Sequence, residues 1–177
     1  TLNLDTSSVT SMAGMLYGVL VFNHPVVFDT GSVNDVSAMF QSSIRFNQPL
    51  AFDTSGVTDV HYMFLSALSF DQPLFFDTSH VTDAIHVFRG AKAFSQPLDH
   101  WNTSSVSQIS FAFSGASLFN GEIGQWDTSG APRRPQAPEP KLSYLTLPTG
   151  VTQMEGLFQN ANAFNSNVSS WDTASVT

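Results

Sequence analysis

The chain of 177 residues contains no cysteine. That excludes disulfides, thiol nucleophiles and cysteine-ligated zinc. It does not exclude secretion, because an array that buries enough apolar surface holds without covalent staples. Charge is scarce too, at 11% of residues, with six Lys or Arg against fourteen Asp or Glu and a formal charge of −8. Three of the six basic residues, Arg133, Arg134 and Lys141, fall in one proline-rich stretch, so a basic footprint for nucleic acid or anionic lipid is missing. No run of 18 apolar residues occurs, which leaves no candidate for a membrane-spanning helix. No leader is recognisable, and the chain opens in mid-pattern, as a piece of a longer array would. His-x-x-x-His, the Gly-x-Ser-x-Gly elbow and a glycine-rich phosphate loop are also lacking. The expectation is a protein that is not an enzyme, with no catalytic residue, no metal ligand and no cofactor.

Against these absences stands one unit written repeatedly. An aromatic residue or Leu opens it at Leu4, Phe28, Phe52, Phe76, Trp101, Trp126 and Trp171. This period of 24 or 25 residues, broken once, marks a stacked repeat. Five residues on, Val9, Val33, Val57, Val81, Val106 and Val176 recur, with Val151 filling the sixth place. Apolar residues at plus 3, 6, 7 and 10 from each valine, such as Val60, Met63, Phe64 and Ala67, have helical spacing. Directly after the valines, Thr10, Asn34, Thr58, Thr82, Ser107, Thr152 and Thr177 suit helix N-caps. Then come Phe22, Phe46, Phe70, Phe94, Phe119 and Phe164, mostly followed by Asn-x-Pro or a relative and an aliphatic residue. That run reads as a strand of about three to five residues leading into a turn.

The expected fold is an α/β repeat, a leucine-rich-repeat-like open solenoid with one short strand and one short helix per 24–25 residue unit. Residues 1–177 form a single domain, with units starting near 4, 28, 52, 76, 101, 126 and 171, and residues 130–150 are a Pro-rich insertion within the sixth unit. Isolated helices shorter than about 12 residues do not hold in water, so each unit depends on its stacked neighbours.

The stretches Phe28 to Leu50, Phe52 to Leu74 and Phe76 to Leu98 carry the pattern W-D-T-S-x-V-T-D-M-x-x-M-F-x-x-A-x-x-F-N-x-P-I, with Phe in place of its Trp. The pattern resembles the repeat of BspA-like leucine-rich-repeat surface proteins, in the form first catalogued in mycoplasma lipoproteins. The resemblance implies a solenoid on an extracellular or cell-surface protein, sometimes linked to adhesion.

Among polar columns, Asp5, Asp29, Asp53, Asp77, Asn102, Asp127 and Asp172 read as Asx-turn acceptors, with a calcium ladder as the rival. The column Thr6, Thr30, Thr54, Thr78, Thr103, Thr128 and Thr173 reads as turn chemistry, with an ice- or crystal-binding face as a lesser alternative. More specific is the column five residues past each valine, where Tyr62, His86 and Phe111 bring rings to one outward line beside His61 and Ile85. These five are the candidate ligand- or partner-binding residues. Val27, Ala51 and Phe75, giving way to Asp99 and His100, form a competing patch. The function expected is a non-enzymatic extracellular or cell-surface adhesion or interaction module. The alternative is a structural subunit of an end-to-end fibre or coat. Its partners would be protein or carbohydrate on a surface, or copies of itself, with no nucleic acid and no membrane span.

Overall fold

The computed structural model describes residues 1–129 and 150–177. The insertion expected at 130–150 therefore lies, except for Gly150, outside the described residues. Among the described residues there is no helix, and the only strands are β1 (Leu2–Asn3) and β2 (Val26–Val27). They pair in parallel, Leu2 opposite Val26 and Asn3 opposite Val27. The expected α/β solenoid, with a helix and a strand in every unit, is thus corrected. Each unit is a coil built from turns, and successive coils lie in register through parallel bridges from Ser11 to Asp35, Asp59, Asp83, Gln108 and Gln153.

The hydrogen bonds show how the coils form without a helix. In the second coil the amides of Val36, Ala38, Phe40 and Ser42 donate to the carbonyls of Asp59, His61, Met63 and Leu65 in the next. The intervening amides of Met39, Gln41 and Ser43 donate back three residues, to Val36, Ala38 and Phe40. Alternate residues thus serve the stack and the turn, which satisfies the backbone as fully as a helix would. Two turns per coil require a positive φ at their third residue. Ala38 (φ 53) and Ser42 (φ 58) supply it here, and Tyr62 with Ser66 or His86 with Gly90 do so in later coils. A left-handed residue every four positions is incompatible with an α-helix.

The burial expected from sequence is nevertheless observed, since Val60, Met63, Phe64 and Ala67 are all buried. A tight coil turns the same positions inward as a short helix does. The residues expected as N-caps form a backbone ladder instead. Asn34 donates to Thr10, Thr58 to Asn34, Thr82 to Thr58, Ser107 to Thr82 and Thr152 to Ser107. The run Asn-x-Pro-Leu does not become a strand in the middle coils, where Pro49, Pro73 and Pro97 have no N–H to give a ladder. Its asparagine reaches across coils: Asn23 Oδ1 accepts from Asn47 N at 2.9 Å and Asn47 Oδ1 from Asp71 N at 3.0 Å.

The core consists of three parallel columns of stacked rings. Phe22, Phe46, Phe70, Phe94, Phe119 and Phe164 stack at 5.9–6.1 Å. Phe40, Phe64, Phe88, Phe113 and Phe158 do so at 5.5–5.8 Å. The unit-opening residues Phe28, Phe52, Phe76, Trp101, Trp126 and Trp171 form the third, at 6.0–6.5 Å. All three columns continue across the insertion, so the coils on either side of it stack directly on one another. Thr6, Thr30, Thr54, Thr78, Thr103 and Thr128 are buried beside this core, and the Thr103 and Thr128 hydroxyls donate to the Asp127 and Asp172 carbonyls. Six of the seven members of that column are thus covered by the stack, and Thr173 is exposed.

Candidate functional site

Tyr62, His86 and Phe111 occupy the first left-handed position of three successive coils, at φ 58, 57 and 57. The rings stand on one another: Tyr62 and His86 at 5.0 Å and 11° between planes, His86 and Phe111 at 5.3 Å and 24°. His61 meets Tyr62 edge-on at 4.9 Å. Ile85 sits at the same level, its carbonyl accepting from Tyr62 N and its amide donating to Asp83 Oδ1. The five residues singled out from sequence are therefore brought together. One detail is corrected: the rings lie on no helix face and are half-buried, held by left-handed backbone.

That backbone matters energetically. A left-handed L-residue costs roughly 1–2 kcal/mol, which glycine escapes. The same place is held by Gly14 in the first coil and by Gly156 after Phe111. Gly156 is favoured by its φ of +57 and required because a Cβ there would overlap the Phe111 ring. The ladder thus ends on a bare backbone. Three such residues cost about 3–6 kcal/mol and the two stacked pairs give back about 1–3 kcal/mol, so stacking repays only part of the strain.

Two further sets of residues border the ladder and were not recognised from sequence. Asp35, Asp59 and Asp83 form a second acidic column, two residues past each valine. Each Oδ1 accepts the amide two residues on, from Ser37, His61 and Ile85, at 2.9 Å. Asp59 Oδ1 also lies 2.6 Å from His61 Nδ1. Burial pushes the Asp35 carboxyl up, but bonds from Ser37 and Ser11 outweigh it and hold the group below the usual carboxylate range. On the other side the Arg89 guanidinium lies 5.8 Å from the Phe111 ring centre. The legible signal for the acids was the recurrent Asp in Val-Asn-Asp and Val-Thr-Asp.

The first acidic column is used locally, as Asx-turns. Ser7, Ser55, Ser79 and Ser129 donate amides to Asp5, Asp53, Asp77 and Asp127, and Ser104 does so to Asn102. Serine hydroxyls and amides hold Asp5, Asp53 and Asp77 below the usual carboxylate range. The competing patch is strongly exposed, Phe75 by 83% and Val27 by 53%. Phe75 leans on His100 at 5.9 Å, and His100 Nε2 lies 2.7 Å from the Leu74 carbonyl oxygen.

His86 is the titratable member of the ladder. Its Nδ1 is buried without a partner. Burial first, and then Arg89, lower its pKa below the ordinary 6.5, with Asp83 opposing. The unfolded chain therefore takes up a proton at His86 more readily than the folded one. Its contribution is complete above about pH 6.5 and declines as pH falls through that value. Thermal melts between about pH 7 and pH 5 are expected to show a smaller drop in Tm for His86→Phe than for the natural chain. Equal drops would show that the ladder does not hold His86 neutral.

No curated protein and no solved structure matches the chain. Residues 2–75, 74–134 and 148–177 each match a family of repeats described as mycoplasma protein of unknown function, DUF285. These three segments take in the ladder, its acidic border and all three core columns, and the chain belongs to that family.

Proposed function

We propose that the protein is a non-enzymatic interaction module whose contact surface is the ladder of Tyr62, His86 and Phe111 with His61 and Ile85. The observation that supports this reading is the placement of three bulky rings at left-handed positions where the same chain elsewhere uses small residues, Gly14, Ala38 and Gly156. Strain retained where a cheaper residue fits points to a role beyond folding. The ring faces are turned on one another, which leaves edges outward. Edges suit an apolar protein anchor better than the face of a sugar, so the partner is a protein. The resemblance to BspA-like surface proteins supports an extracellular or cell-surface setting and an adhesive role.

The test is the triple change of Tyr62, His86 and Phe111 to Gly, the residue already present at positions 14 and 156. Relief of strain opposes the loss of stacking, so the triple variant is expected to stay folded, with circular dichroism as the check. Binding of the purified protein to intact cell surfaces is expected to disappear. Undiminished binding by a folded triple variant would transfer the role to Phe75 and Val27.

A further inference from the structure

We infer that the partner docking on the ring ladder is a cationic segment of a protein, gripped by the carboxylates of Asp35, Asp59 and Asp83 that border the rings. The inference rests on the ladder being the contact surface and specifies the chemistry of what it takes. Its basis is charge complementarity along one strip. In the first, fifth and sixth coils the place of these acids is taken by Ser11, Gln108 and Gln153, so the coil frame does not demand a carboxylate there. Yet three successive coils carry one, stacked in register where like charges repel. The Asx-turn uses only Oδ1, which an asparagine would supply equally well, as Asn102 does for Ser104; Asp35 alone of the three also uses Oδ2, to accept from the Ser11 hydroxyl. What asparagine lacks is the charge. Asp59 and Asp83 offer it in the coils that carry Tyr62 and His86, and Asp35 in the coil before. The one Arg on the strip, Arg89 beside Phe111, is a single charge against three carboxylates. With a formal charge of −8 on the chain, a partner approaching this strip is drawn in if it is basic and repelled if it is acidic.

The experiment compares affinities for three short synthetic peptides alternating leucine with arginine, serine or glutamate, before and after two matched triple changes. Asp35, Asp59 and Asp83 are changed to Asn in one variant. Asp29, Asp53 and Asp77, in the turn column, are changed to Asn in the other. Both remove the same charge and keep the Asx acceptors, so circular dichroism monitors that both stay folded. The arginine peptide is expected to bind tightest, to weaken about tenfold or more in the first variant and to change less than about twofold in the second. Equal weakening in both variants would reduce the effect to overall charge and overturn the inference. So would binding of the glutamate or serine peptide as tight as the arginine one. The ladder fails separately: if the glycine triple variant binds the arginine peptide as well as the natural chain does, the rings are not the contact surface, whatever the acids do.

Discussion

Phe70→Ala is expected to destabilise the protein by about 3–5 kcal/mol, the cost of emptying a fully buried phenylalanine site. The ring is completely inaccessible and sits between Phe46 at 6.0 Å and Phe94 at 6.1 Å, with Phe64 of the adjoining column at 4.2 Å. Collapse cannot refill the space, because both neighbours are fixed by columns that run the length of the stack. Chemical denaturation measures the loss, read from the midpoint at constant slope. A value under about 1 kcal/mol would mean the column is not continuous there.

Gly121→Ala should be nearly as damaging for the opposite reason. A Cβ on Gly121 would overlap the backbone carbonyl of Gln96 in the preceding coil and press on the Phe119 ring. Neither can swing aside: one is main chain, and the other is stacked on Phe94 and Phe164. The coils must part locally, so a cost of about 3 kcal/mol is expected, at the upper end for overpacking. Gly56→Ala is the control, since a Cβ there meets only the Val33 carbonyl at ordinary contact distance. It should change stability by less than about 0.5 kcal/mol. If both glycines tolerate alanine alike, the close approach of coils at Gln96 is absent.

The columns of the core were legible in the sequence because burial depends only on which residues recur at the coil period. Val57, Val60, Met63, Phe64 and Phe70 were placed inward correctly. The conformation joining them was not legible from that pattern, since the spacing of plus 3, 6, 7 and 10 belongs equally to a two-turn helix and to a coil of overlapping turns. The discriminating signal was glycine, at Gly14 and Gly18 and again at Gly90, Gly115 and Gly156. Glycines recurring at two phases four residues apart mark left-handed turn positions and disqualify a helix. The ring ladder was visible because Tyr62, His86 and Phe111 share one phase. The strain beneath it was not: the sequence shows that they share the phase of Gly14, Ala38 and Gly156, but only the fold shows that this phase is left-handed. Asp35, Asp59 and Asp83 stand out less in the sequence than the acids before Thr6, Thr30 and Thr54, because Ser11, Gln108 and Gln153 interrupt their column.

The account rests on coils without helices, which hold Tyr62, His86 and Phe111 in left-handed backbone. Backbone chemical shifts of the assigned chain in solution test this directly. Residues 58–67 should show no continuous run of helical shifts, with left-handed values at Tyr62 and Ser66 and again at His86, Gly90 and Phe111. An unbroken helical run from Thr58 to Ala67 would contradict it, and with it the strained ladder on which the proposed function stands.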